Sequence, residues 1–400
     1  MAHTVVIAPD SFKGTIAAAA AAQALATGWT EERPADDVRL LPMADGGEGT
    51  VDAFATAVPG ARRMPIAVTG PEGTEVEASW VLLPPTPEAP AGTGIVELAC
   101  TSGIELLGTP ARLRPFDAHT WGFGEAIAAA LAHGVSRLVL GIGSSSSTDG
   151  GAGMLAALGA RFADAAGRPI ADGARGLADV ATADLSELAA LPPGGVTVLS
   201  DVTNPLLGER GAAAVFGPQK GASASDVAVL DAGLARWADV LGAAAADRDA
   251  LSSRSLSERR RDEAASLSTS AAGAGAAGGT GFGLLAWGAE LVPGSAAVAE
   301  LVGLGDAVAA ASIVVTGEGS YDGQSAAGKV PAHVGALAAA AGVPVALVAG
   351  RITADADVSG FAATASLTEL AGSAQAAMSD PVRWLVAAGR ELARTLPGAG

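Results

Sequence analysis

Thr4-Val5-Val6-Ile7-Ala8-Pro9-Asp10-Ser11-Phe12-Lys13-Gly14-Thr15 sets a short apolar run before a polar, glycine-bearing turn, and an alanine-rich stretch over residues 16–28 follows it. Valine and isoleucine suit a pleated backbone and serial alanines suit a helix, so the stretch reads as strand, turn, helix, with Thr15 as the expected N-cap. The pattern returns with a strand over 38–42, the turn Ala44-Asp45-Gly46-Gly47-Glu48-Gly49-Thr50, and a helix to about 57. It returns again near the C-terminus: strand 312–316, a polar glycine-rich loop, a helix from about 331, strands 343–349 and 362–367, and a helix over 375–394. Strand–turn–helix units in series predict a parallel sheet covered by helices.

Between these ends the pattern changes. Residues 62–68 and 76–83 alternate as a β-hairpin, 84–94 form a Pro- and Gly-rich loop, and 95–98 a short strand. A helix over 120–133, a strand over 137–142, a serine run, another helix, a strand over 196–200 and two helical regions to about 261 follow. The small, glycine-rich 271–283 reads as a hinge or a ligand loop, and 252–270 as a polar helix or loop. The predicted class is α/β with two α/β domains. A discontinuous flavodoxin-like parallel-sheet domain (1–58 and 290–400) carries an inserted mixed α/β domain (59–289).

Composition narrows the functions. Half of the 400 residues are apolar but only 4% are aromatic and 16% charged, so the core is built from Ala, Val and Leu. Mean hydropathy is positive, yet no apolar run approaches the ~18–20 residues of a membrane span. The run over 5–8 is too short for a signal-peptide core and no basic segment precedes it, so a cytoplasmic protein is expected. A net charge of −18 without a basic cluster argues against nucleic acid and membrane partners. One cysteine, Cys100, excludes an intrachain disulfide and a cysteine-based zinc cluster, and the four histidines lack metal-ligand spacing. Nothing in the sequence chooses between monomer and homodimer.

Twenty-one of the 24 basic residues are arginine; the three lysines are Lys13, Lys220 and Lys329, and Asn204 is the single asparagine. Lysine is a compact point charge where arginine is a planar fork, so lysines retained beside glycines in turns suggest tight anion contacts. Two glycine patterns fall short. Residues 323–329 approach a phosphate-binding loop, but Val330 replaces the hydroxyl that would reach magnesium. Residues 273–278 fit G-x-G-x-x-G, but the small polar residues before them do not read as the strand that a dinucleotide fingerprint requires.

Gly141-Ile142-Gly143-Ser144-Ser145-Ser146-Ser147-Thr148-Asp149-Gly150-Gly151 is more informative, because it links a strand to a helix with hydroxyls and amides suited to an oxyanion. Carboxylates stand at predicted strand ends: Asp10, Asp45 with Glu48, Asp149, Asp201, Glu318 and Asp322. Acids interleaved with lysines and glycine turns are what Mg-nucleotide phosphoryl transfer requires.

These segments, with Asp201-Val202-Thr203-Asn204-Pro205-Leu206, Phe216-Gly217-Pro218-Gln219-Lys220-Gly221-Ala222, Gly278-Gly279-Thr280-Gly281 and Thr316-Gly317-Glu318-Gly319 through Gly328-Lys329-Val330-Pro331, resemble the bacterial glycerate kinase family, in order over nearly the whole chain. The resemblance implies phosphorylation of D-glycerate, to 2-phosphoglycerate, with ATP and Mg²⁺, in a cleft between two α/β domains. Ser144 and Thr148 stand where the family pattern suggests glycine and asparagine, and Ser325 where it suggests threonine.

Chemistry then distributes roles. Asp201 is the first choice for base or Mg²⁺ ligand and Asp10 its rival, with Lys13 as the catalytic cation. Ser11, Lys220, Asn204, Asp45 and Glu48 are expected at glycerate, Ser144, Ser145, Ser146, Ser147, Gly278, Gly279 and Lys329 at the nucleotide, and Glu318 and Asp322 beside Asp201 at the metal. Two alternatives are a nicotinamide-dependent hydroxyacid oxidoreductase using the 273–278 loop and a non-catalytic small-acid binding protein.

Overall fold

The computed structural model describes residues 2–253, 267–323 and 330–396. Its strands are β1 (Thr4–Pro9), β2 (Asp37–Leu40), β3 (Arg62–Thr69), β4 (Glu75–Leu83), β5 (Thr93–Glu97), β6 (Arg137–Gly141), β7 (Arg161–Ala163), β8 (Thr182–Asp184), β9 (Val196–Leu199), β10 (Glu290–Val292), β11 (Ile313–Tyr321), β12 (Val345–Ile352) and β13 (Ala363–Ser366). They divide between two α/β units. One comprises Met1–Asp45, Gly49–Ala61 and Gly294–Gly400; the other comprises Gly46–Glu48 and Arg62–Pro293.

The first unit holds a five-stranded sheet in the order β13-β12-β11-β1-β2, parallel throughout. Counted within the unit this is the flavodoxin-like order 2-1-3-4-5, with the reversal of winding between β1 and β11. Val5, Ile7, Ile313, Val315, Ala346 and Val348 form the sheet's contribution to a core that Leu25, Trp29, Leu385 and Leu392 complete from the helices. The helices Ala18–Glu32 and Pro381–Thr395 cross there, and the alanine-rich sequence lets them approach closely. A methyl added at Gly28 would lie 1.9 Å from the Val386 carbonyl oxygen, and one at Gly389 2.2 Å from that of Leu25.

The second unit holds a six-stranded sheet in the order β10-β9-β6-β5-β4-β3, parallel from β10 to β5 and antiparallel through the β3–β4 hairpin, with β7 and β8 as a separate ribbon. Its core gathers Val96, Leu138, Leu140 and Val198 from the strands with Phe123, Ile127, Trp237 and Phe282 from the helices.

Local boundaries depart from the sequence reading for identifiable reasons. The first helix begins at Ala18, after Ala17, and Thr15 does not cap it. The Thr15 amide instead donates to the Phe12 carbonyl (2.9 Å), closing a tight turn in which Phe12 and Ile16 pair. β11 runs past Thr316 to Tyr321, because β12 continues to offer backbone partners through Ile352. The expected final helix is two, Ala374–Ser379 and Pro381–Thr395; Asp380 ends one and caps the other through the Arg383 amide, with Pro381 in the first turn. The described residues 267–275 contain no strand; a turn with Ala277 and Gly278 in left-handed conformations follows, and then the helix Thr280–Trp287. Among the described residues no helix is long and apolar enough to cross a membrane.

Alanine at Gly28 or Gly389 should lower unfolding stability by more than ~2 kcal/mol, since helix backbone would have to move. Alanine at Gly242, within the helix Ala224–Ser253 and with nothing within 4 Å of its added methyl, should raise it by up to ~1 kcal/mol. Urea midpoints of the three variants test this; equal effects at all three sites would refute the close-crossing explanation.

Candidate active site

In the first unit the chain leaves β1 at the point where the winding reverses. The Asp10 amide donates to the Gly317 carbonyl of β11 (2.8 Å), and the Asp10 carboxylate accepts the Ser11 amide (2.7 Å). The turn lies close on β11, where a methyl at Gly319 would stand 3.3 Å from the Lys13 nitrogen and one at Gly317 3.4 Å from the Phe12 ring. Glu318, between these glycines, is 6% exposed. Asp45 is set by the first residue of the helix Gly294–Leu301, since a methyl at Gly294 would come within 2.0 Å of the Asp45 carbonyl oxygen. Lys13 Nζ reaches Asp45 Oδ2 at 3.4 Å and its side chain remains largely exposed.

Three carboxylates and one ammonium therefore share the carboxyl end of β1 and β11. Burial raises the Asp10 carboxyl from 3.8 to about 7, the neighbouring charges of Asp45 and Glu318 push the same way, and the Ser11 amide and Lys13 oppose them. The Lys13 ammonium is held above its usual value chiefly by Asp45, with Asp10 and Glu318 adding to it.

In the second unit the serine loop leaves β6 beside the Gly46–Glu48 segment. Gly143 donates to the Gly46 carbonyl (2.9 Å), and a methyl on it would lie 2.5 Å from the Gly47 Cα. Ser144 is exposed and takes a left-handed φ of +58°, the conformation that glycine would adopt without strain. The next hydroxyls turn inward. Ser145 Oγ accepts from Lys220 Nζ (2.7 Å), Ser146 Oγ donates to the Ser102 carbonyl (2.8 Å), and the Ser147 carbonyl also accepts from Lys220. Ser147 Oγ and Thr148 Oγ1 are buried with no partner among the described residues, each at a cost of ~1–3 kcal/mol.

Asp149 is fully buried and fully engaged. It accepts the Thr120 amide (2.9 Å), the Thr120 hydroxyl (2.8 Å) and the amides of Gly151 and Gly153 (3.2 Å each), joining the starts of the helices Trp121–His133 and Ala152–Ala157. Thr120 carries no signal in the sequence, since its partner lies 29 residues away. Lys220, 2% exposed, ends the turn Pro218–Lys220; burial depresses its ammonium to about 7, and the charge of Asp149 pulls the other way. Gly278 closes the far side by accepting the Gly150 amide (3.1 Å), while Gly279 at φ +89° starts the helix Thr280–Trp287.

The structure thus brings Asp10, Ser11, Lys13, Asp45 and Glu318 together in one unit, and Ser145, Ser147, Gly278 and Lys220 in the other. Glu48 and Asp201 are exposed in the second unit, so Asp201 does not belong to the unit that carries Glu318 and Asp322. Asn204 donates its side-chain amide to the Arg210 carbonyl (2.8 Å), shaping its own loop. Asp322 follows the end of β11, four residues beyond Glu318. Lys329 lies outside the described residues. No group of three His, Cys, Asp or Glu among the described residues is arranged to hold a metal ion.

Comparison with known proteins identifies the family. The model of the glycerate kinase family matches residues 5–397. The glycerate kinase of Bacillus subtilis (strain 168) is 39% identical over 353 residues, 88% of this chain and 86% of that one. The glycerate 2-kinase of Escherichia coli (strain K12) is 39% identical over 357 residues, 88% of this chain and 87% of that one. A crystal structure of the Salmonella typhimurium LT2 protein assigned as glycerate kinase 2 superposes with a TM-score of 0.79 at 38% identity, covering 99% of this chain and 98% of its own.

The Asp10 environment has a measurable consequence in metal-free buffer. Its folded carboxyl stays protonated up to about 7 while the unfolded one ionises near 3.8. Its contribution is therefore fully present below the unfolded value and is lost as pH rises through the folded one, by at most ~4 kcal/mol. Asp10→Asn removes this titration, so urea unfolding should find the variant gaining on the parent protein between about pH 4 and about pH 8. Parallel pH profiles would show that the carboxyl is not buried as described.

Proposed function

The chain belongs to the glycerate kinase family and is a kinase, and on that premise we propose that it transfers the γ-phosphoryl group of ATP to the C2 hydroxyl of D-glycerate, giving 2-phosphoglycerate and ADP. The observation that carries the chemistry is the Asp10 carboxyl, buried at the reversal between β1 and β11 with a proton affinity near neutrality. A base works best when its pKa lies near the working pH, and ligands of open α/β sheets bind at such a reversal.

In this reading Asp10 accepts the hydroxyl proton as the glycerate oxygen attacks the γ-phosphorus. The bond to the oxygen bridging the β and γ phosphorus atoms breaks, and ADP leaves with those electrons. Lys13, exposed beside Asp45, offsets charge on the transferring phosphoryl group or on the glycerate carboxylate. Ser11 lies next to Asp10 and contributes its hydroxyl on the glycerate side.

Asp45 and Glu318 fit Mg²⁺ as a pair of oxygen donors, because that ion is commonly held by one or two carboxylates completed by phosphate oxygens and water. Excess negative charge around Asp10, offset among the described residues by Lys13, is consistent with a divalent cation there. When bound, Mg²⁺ neutralises the developing charge on the β and γ phosphate oxygens. The second unit offers the serine loop and the Gly278–Gly279 turn for the nucleotide phosphates. The setting we assign is the cytoplasm, where ATP is supplied.

ADP release with MgATP and D-glycerate, against L-glycerate and no-acid controls, tests the reaction, and ³¹P spectra of the product distinguish 2- from 3-phosphoglycerate. Asp10→Asn should lower kcat by roughly 10²-fold or more, while Asp201→Asn stays within roughly tenfold of the parent. The opposite ranking moves the base to Asp201; a folded, ATP-binding protein that releases no ADP with D-glycerate ends the glycerate reading.

A further inference from the structure

We infer that Lys220 is a positioning residue, whose ammonium clasps the serine loop in the shape that receives the nucleotide phosphates and touches neither substrate. This rests on the ATP-dependent reading above. Lys220 Nζ donates to the Ser145 hydroxyl at 2.7 Å and to the Ser147 carbonyl, two acceptors separated by a single residue, and so ties the turn Pro218–Lys220 across to the loop.

The loop needs such a tie. Ser144 sits in the left-handed region without being glycine, and Ser147 Oγ and Thr148 Oγ1 are buried without partners among the described residues. A segment holding unmet hydrogen bonds and a strained φ relaxes unless the surroundings hold it. Ser146 is anchored to Ser102, and Asp149 to Thr120, Gly151 and Gly153. Lys220 supplies the bonds on either side of Ser146, at Ser145 and at Ser147. Asp149 is the charged group that acts on the ammonium, and its oxygens are engaged by the amides and the hydroxyl already named.

The space explains the residue type. A methyl on Gly278 would lie 2.9 Å from Lys220 Nζ and 2.1 Å from the Ser147 oxygen, so the ammonium is enclosed by backbone. A guanidinium fork is wider and planar and does not fit there with the loop unmoved. That accounts for a lysine at this position in a chain that otherwise uses arginine at 21 of its 24 basic positions.

The test uses the full-length protein with Lys220→Met, which fills the pocket with an apolar chain of similar length, and with Lys220→Arg. Hydrogen exchange of the amides over 143–151 should quicken roughly tenfold in Lys220→Met, the KM for ATP should rise by roughly tenfold or more, and the KM for D-glycerate should stay within about twofold. Lys220→Arg should not rescue. Unchanged loop protection, a rise confined to the glycerate KM, or full rescue by arginine would each overturn the assignment. If Lys220→Met does not fold, Ser145→Ala removes one acceptor alone and should raise the ATP KM about threefold with faster loop exchange, and no change in either overturns the clasp. A parent protein without ATP-dependent glycerate phosphorylation ends the functional reading, and the exchange measurement still judges the clasp.

Discussion

The reversal of winding at β1 is the constraint on which the first unit depends. β1 is buried between β2 and β11, and the chain builds outward first to one side and then to the other. Connections leaving adjacent strands in opposite directions leave the carboxyl ends of those strands uncovered. Asp10 occupies that place, and the glycines of β11 allow its turn to lie flat enough to bury most of the carboxyl. Asp45 and Glu318 add like charge, which Lys13 balances only in part. Topology thus produces a cluster of negative charge with an exposed cation beside it, before any ligand is considered.

The second unit solves a different problem, the support of a loop whose hydroxyls face inward. Backbone lies directly on backbone where Gly143 meets Gly47 and Gly278 meets Ser147, and the Trp237 ring lies directly on Gly150. Any side chain at these positions would separate the layers. The polar groups are then matched by long-range partners, with Asp149 linking two helix starts and the Trp237 indole donating to the Gly150 carbonyl at 3.0 Å. Within the loop, Ser146 is held by Ser102 and its neighbours Ser145 and Ser147 by Lys220.

The strands were legible because buried parallel strands are continuous apolar runs, as Val5 to Ala8 and Val345 to Ala349 are. Their ends were less so. The extension of β11 through Gly-Glu-Gly-Ser is dictated by pairing with β12, which no local pattern announces. The rarity of lysine marked Lys13 and Lys220 equally, yet the Lys13 side chain is 77% exposed whereas Lys220 is 2% exposed. Rarity therefore reports constraint and not role. Asp10 and Asp149 likewise looked alike as acids after strands. Their difference lies in partners far along the chain, Asp45 and Glu318 for one and Thr120 for the other, and those are set by the fold.

Asp10 and Lys220 carry opposite charges and are pushed by burial toward the same value, about 7, one from below and one from above. In each case the folded protein disfavours the charged form, so each is a local source of instability near neutrality. A core optimised only for stability would replace both with apolar or neutral groups. Their retention is understandable if each meets its compensating charge only in the loaded enzyme, Asp10 when a proton arrives from the substrate hydroxyl and Lys220 through the anionic nucleotide that its loop receives. On the proposed function, stability and phosphoryl transfer compete at the same two residues, and the competition is settled by ligand rather than by packing.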